Sequence, residues 1–194
     1  AALALTETVS TFNGFNITCK GARDGAIDVT VSGGTTNYTY AWTTVGGSGL
    51  ALTAADQSGL GPGSYTVLVT DANGCTVTKT YTITEPTALT ISGTPTNVLC
   101  NGQNNGELDI TVDGGTLNYA YAWTTLDGSG LDANTEDQTG LTAGTYTVTA
   151  TDQNSCTITA EYTITEPDVL AIAKTLTNVV CNGDDNGAID VTVS

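Results

Sequence analysis

Along much of the chain, apolar and polar side chains alternate with a period of two. Ile27, Val29 and Val31 are interleaved with Asp28, Thr30 and Ser32. Tyr38, Tyr40 and Trp42 form a second such row, and Tyr65, Val67 and Val69 a third. Val77, Tyr81 and Ile83 are set among threonines. A period of two puts alternate side chains on opposite faces of an extended backbone, so these runs predict half-buried β-strands. Gly33-Gly34, Gly61-Pro62-Gly63 and Asn73-Gly74 separate the runs, and such clusters favour tight turns. No stretch holds a helical period. Several short strands with frequent turns in about 80 residues predict an antiparallel β-sandwich.

The whole pattern recurs. Cys19, Cys100 and Cys181 are spaced by 81 residues, as are Cys75 and Cys156, and Trp42 and Trp123. Tyr65 answers Tyr146, and Glu85-Pro86 answers Glu166-Pro167. The phrase GAIDVTVSGGTTNYTYAWTT at 25–44 returns as GELDITVDGGTLNYAYAWTT at 106–125, and GAIDVTVS at 187–194 opens a third copy. The chain therefore divides into repeat 1 (1–86), repeat 2 (87–167) and the front part of repeat 3 (168–194), with Glu-Pro at the boundaries because proline holds itself and its predecessor extended. The predicted architecture is all-β: tandem immunoglobulin-like antiparallel sandwiches arranged end to end. Trp42 and Trp123 fall where such a fold puts a core tryptophan on its third strand. Tyr65 and Tyr146 open the penultimate strand, where a tyrosine corner sits. Read more simply, all four are core aromatics.

Composition narrows the function. Four Lys and Arg stand against twenty Asp and Glu, for a net charge of −16. Such a surface repels nucleic acid and anionic membranes. No apolar run is long enough to span a bilayer. No signal peptide opens the chain, and it stops in mid-pattern at Val193-Ser194. It reads as an excerpt whose targeting signals lie elsewhere. With no His, Ser/His and Cys/His nucleophilic pairs are excluded. Many acids do not recur between repeats (Asp113 answers Ser32, and Asp127 answers Gly46), which argues against a paired-carboxylate active site. The chain is not expected to be an enzyme.

Five regularly spaced cysteines in a small β-rich chain indicate an oxidising compartment. The nearest two are 25 residues apart, which does not suit zinc. Two bonding schemes are open. Cys19–Cys75 and Cys100–Cys156 would close each repeat on itself. Alternatively, Cys19 pairs with Cys156 across repeats and Cys100 with a cysteine further along. The first scheme requires Cα atoms within about 7 Å, yet the two turns sit at opposite ends of a strand roughly 20 Å long. End-to-end stacking favours the second, with Cys181 awaiting a partner.

Asn182, Asp184, Asn186, Gly187 and Asp190 have the spacing of an EF-hand-like loop, though Val193 replaces the closing Glu. Calcium is thus a candidate cofactor at Asn182, Asp184, Asn186 and Asp190; an Asx-rich hairpin turn explains the same residues. Thr76, Thr78, Thr80 and Thr82 line up hydroxyls on one strand face. That is either a binding surface or a solvated one.

The phrases VLCNGQNNGELDITVDGGTLNYAYAWT (98–124) and GLTAGTYTVTATDQNSCTITAEYTITEP (140–167) resemble the SprB repeat of large surface adhesins of gliding Bacteroidota. Repeat 1 departs from it in CKGARDG and in about three extra residues near its start. The resemblance implies an extracellular filament on the cell's outer surface that grips a substratum or surface polysaccharide. It also implies propulsion by separate gliding machinery and export by the type IX secretion route. On this reading the chain is a shaft segment whose nearest partners are neighbouring repeats. The alternative is an array of carbohydrate-binding modules, which would need an exposed aromatic platform in each repeat.

Overall fold

The computed structural model describes all 194 residues and contains strands, turns and loops but no helix. Repeat 1 has six strands: β1 (Ala4–Val9), β2 (Gly25–Ser32), β3 (Thr39–Val45), β4 (Gln57–Leu60), β5 (Gly63–Thr70) and β6 (Thr76–Ile83). They form two antiparallel sheets, ordered β1-β2-β4 and β3-β5-β6. This is the A-B-E and C-F-G division of an immunoglobulin-like sandwich lacking strand D. Repeat 2 reproduces it with β7 (Thr90–Thr96), β8 (Gly106–Asp113), β9 (Ala120–Thr125), β10 (Gln138–Leu141), β11 (Gly144–Thr151) and β12 (Thr157–Ile164). Repeat 3 contributes a hairpin of β13 (Ile172–Thr177) and β14 (Ala188–Val193).

The period-two rows supply the core. Ile27, Val29, Trp42, Leu60, Tyr65, Val67, Val69, Tyr81 and Ile83 are buried together, and Leu108, Ile110, Trp123, Leu141, Tyr146, Val148 and Ile164 form the second core. Trp42 stands opposite Val67 in the β3–β5 register and packs at 6.0 Å from the Tyr81 ring. Its indole donates to the Ala54 carbonyl at 2.8 Å, and Trp123 donates to Thr135 at 2.9 Å. Both tryptophans therefore bury a large apolar surface without leaving the N–H unpaired.

Tyr65 and Tyr146 are fully buried. The Tyr65 hydroxyl lies 2.7 Å from the Gly61 carbonyl and 2.8 Å from that of Ser48, and accepts from the Ser48 amide at 2.9 Å. Tyr146 makes the same contacts with Thr142 and Ser129. This is a tyrosine corner, tying the start of the penultimate strand to two loops. Glycine is required beside it: a Cβ at Gly47 or Gly128 would meet the tyrosine hydroxyl at 2.5 or 2.3 Å.

Two features escape the period-two pattern. Gln57 and Gln138 are almost fully buried at the start of β4 and β10. Each uses its amide to bridge one loop residue, Ala51 or Asp132, accepting from its N–H and donating to its C=O at 2.8–2.9 Å. A buried amide satisfied this way costs little. The insertion in repeat 1 is five residues, not three. Val9 and Pro95 hold the same register against β2 and β8, and Asn16 and Asn97 make the same bonds to Thr84 and Thr165. The extra residues are therefore 11–15. They fold as a tight hairpin turn: Phe12 and Phe15 exchange backbone bonds of 2.7 and 3.0 Å. Asn13 and Gly14 between them take φ of 46° and 93°, the paired positive φ that Asn-Gly adopts readily.

Candidate functional site: the junction between repeats

The two sandwiches meet where the β1–β2 loop of repeat 1 touches the β11–β12 turn of repeat 2. A disulfide joins Cys19 of the loop to Cys156 of the turn, with Cα atoms 5.8 Å apart and 137 residues between them in sequence. The closed pairs Cys19–Cys75 and Cys100–Cys156 are not formed, and Cys75, Cys100 and Cys181 are exposed thiols. Strand geometry explains why. Cys19 precedes the Gly25 end of β2, whereas the Cys75 turn is held at its Ser32 end, through the Thr35 amide on Asp71. Eight residues of strand separate the two by roughly 26 Å, several times the reach of a disulfide.

Both partners are shaped in advance by buried or local hydrogen bonds. Asp152 is buried and accepts from the amides of Cys156 (2.8 Å), Asn154 (2.9 Å) and Thr116 (2.9 Å). Asp71 does the same for Cys75, Asn73 and Thr35 in repeat 1. The Thr35 amide foremost, then that of Cys75, holds the Asp71 carboxyl below the ordinary carboxylate value. On the loop side the Thr18 amide bonds the Asp24 carboxylate at 3.2 Å, and the Ala22 amide bonds the Cys19 carbonyl at 3.0 Å. Glu85 ties the end of β6 to the same loop through the Gly21 amide at 2.7 Å and the Lys20 ammonium. Lys20 first, and then the Gly21 amide, keep the Glu85 carboxyl below its usual range. Glu166 binds Gly102 in the same way in repeat 2. The Glu of each Glu-Pro boundary thus fastens the exit strand to the cysteine loop.

Asn154 reaches across the junction. Its side-chain oxygen accepts from Asn13, and its amide donates to the Thr18 carbonyl at 3.0 Å. The inserted Phe12–Phe15 turn thereby becomes part of the contact. Sequence periodicity misses this pair, although Asn13-Gly14 between two phenylalanines signals the turn. A shallow cleft of about 480 Å³ lies beside the bridge, lined by Cys19, Lys20, Pro86, Leu89, Cys156 and Ile158 among others. It holds no grouping of acid, base and nucleophile.

Of the calcium candidates, Asp184 and Asn186 are neighbours, the Asn186 amide donating to the Asp184 carboxylate at 3.5 Å. The Asn186 oxygen accepts from the Val180 amide at 3.2 Å and Asp184 accepts from the Cys181 amide at 3.2 Å. Asn105 and Asp24 make the same bond to Leu99 and Thr18. Asn186 is therefore the loop's internal clamp. Asp190 lies on β14 opposite Thr175. The threonine rows face outward on the β3-β5-β6 and β9-β11-β12 sheets. Hydroxyls pair across strands, Thr66 with Thr80 at 2.8 Å and Thr149 with Thr159 at 3.2 Å. No Phe, Tyr or Trp is exposed.

Serial immunoglobulin-like sandwiches, cross-linked at their junction, define a tandem repeat protein. A family model described as SprB repeat matches residues 11–47, 92–128 and 173–194. The chain belongs to the SprB repeat family and is a repeat segment of a cell-surface adhesin. Its disulfide accords with an extracellular place. No curated protein matches the chain. Among solved structures it is similar to a C-terminal 282-residue fragment of intimin, crystallised with the intimin-binding domain of the translocated intimin receptor. The identity is 20% and the TM-score 0.42, over 90% of this chain and 67% of that one.

Proposed function

We propose that these repeats form the load-bearing shaft of a long surface filament serving attachment and gliding. The observation that carries the reading is the Cys19–Cys156 bridge between repeats. A closed bead needs a bond within itself, whereas a bond between beads resists bending and pulling at the joint. The junctions support this. They are short and lack a flexible Gly/Ser linker, and Pro86 is buried in one of them. Under this proposal the filament leaves the cell by the type IX route and is driven by separate gliding machinery. The target it grips is bound elsewhere in the adhesin.

In-frame removal of repeats from the parent adhesin tests the proposal. Surface display should persist, and filament length by electron microscopy should fall by roughly 35–45 Å per repeat, from strand length plus end turns. Unchanged length with lost adhesion would overturn it. The carbohydrate-module alternative has no observation in its favour, because every aromatic ring is at least half-buried. Reproducible binding of the chain to a glycan array would revive it.

A further inference from the structure

The junction is built from two standard parts, and the chain holds more of them than it mates. The first-cysteine loop occurs three times in the same conformation. Amides of Thr18, Leu99 and Val180 bond Asp24, Asn105 and Asn186, each at 3.2 Å. Amides of Ala22, Gln103 and Asp184 bond the carbonyls of Cys19, Cys100 and Cys181. The second-cysteine turn occurs twice. Asp71 and Asp152 hold Cys75 and Cys156 through amide bonds of 2.8, 2.9 and 2.9 Å in both cases. Cys156 is bonded and Cys75 is not, yet their turns are clamped alike. The turn is therefore preformed for its partner rather than moulded by the bond.

We infer that Cys75, Cys100 and Cys181 are half-sites of further junctions of the same kind. Each takes as its partner another SprB repeat in series on the same polypeptide. The first cysteine of every repeat bonds the second cysteine of the repeat that follows it, as Cys19 does with Cys156. Cys100 takes the second cysteine of the next repeat, and Cys75 receives the first cysteine of the repeat before. A partner in series, rather than on a second molecule, follows from the linkers. Glu166-Pro167 leads from β12 into β13 as Glu85-Pro86 leads from β6 into β7, and Glu166 grips Gly102 as Glu85 grips Gly21. The next repeat is thus delivered to the Cys100 loop as repeat 2 is delivered to the Cys19 loop. Successive bonds overlap in sequence, so every repeat between two others is held covalently to both neighbours. Each bond forms by thiol–disulfide exchange. A cysteine thiolate attacks an oxidant disulfide and expels one thiolate, the second cysteine thiolate attacks the resulting mixed disulfide and expels the other, and the two protons lost by the cysteines are taken up by the two departing thiolates.

The inference goes beyond the shaft proposal and holds whatever the filament grips. Its test is the full chain with an additional copy of residues 87–167 inserted after Pro167, refolded in oxidised and reduced glutathione. Non-reducing peptide mapping should find Cys19–Cys156 retained and Cys100 bonded to the inserted copy of Cys156. The thiol count should stay at the three of the present chain. A bond between the two cysteines of the inserted copy, a bond between two molecules, or an alkylated Cys100 would each overturn it. Should the insertion not fold, the chain extended past Ser194 by a copy of residues 114–167 completes repeat 3 and poses the same choice. There the copied Cys156 bonds Cys100 if the inference holds, and Cys181 or nothing if it does not.

Discussion

Pulling the oxidised chain by its two ends should extend only the segments that lie outside the Cys19–Cys156 bridge. Covalent tension runs from the amino terminus to Cys19, across the sulfurs to Cys156, and on to the carboxyl terminus. The bridge spans 137 residues of sequence. At about 3.6 Å per extended residue, roughly 490 Å of chain is shielded from force, out of some 700 Å for the whole molecule. About 200 Å remains available, in the segments before Cys19 and after Cys156. Those segments include β1, paired only with β2, and β12, paired only with β11. Both can peel away while the inner strands of each sandwich stay in place. Single-molecule force spectroscopy with handles at the termini measures the released length directly. The Cys19→Ser/Cys156→Ser variant, or reductant, should restore the long extension. Oxidised molecules that extend to the full length without bond rupture would refute the reasoning, because the bridge would then not lie on the force path.

Other consequences can be checked in solution. Tyr65→Phe removes the hydroxyl that serves Gly61 and Ser48 and should lower stability in urea by about 1–3 kcal/mol; an unchanged midpoint would show that water replaces the contact. Asp71 titrates below the ordinary carboxylate value when folded, so its contribution is complete above that value and is lost as pH falls through the depressed one. The stability difference between the native chain and Asp71→Asn should accordingly be flat at neutral pH and shrink in acid; a difference that grows in acid would contradict the assignment. Because Asn186 and Asp184 already bind backbone amides, calcium and chelator should give the same melting midpoint, and a rise with calcium would restore the metal reading. Asn154→Ala should loosen the junction without unfolding either sandwich. The expected readout is faster amide exchange at Phe12–Thr18, with the cores unchanged.

Much of this molecule is written in short-range pattern. The period of 81 residues, the inward rows at Ile27, Trp42 and Tyr65, and the turns that divide them are local properties, since a strand's alternation and a turn's glycine need no distant partner. The immunoglobulin-like plan follows from them. Short β4 and β10 carry too few residues to show a period, and their buried Gln57 and Gln138 look polar until the loop amides they bridge are in place. The EF-hand-like spacing at Asn182–Asp190 does not show that Asn186 and Asp184 each accept a backbone amide of their own loop, which only the fold places within reach. Likewise, cysteine spacing by itself left two bonding schemes open. Tertiary structure chose between them, because a strand of eight residues holds the two turns of one repeat far apart while stacking brings turns of successive repeats together. Sequence alone determined what each repeat is; only the packing of one repeat on the next decided which sulfur Cys19 meets.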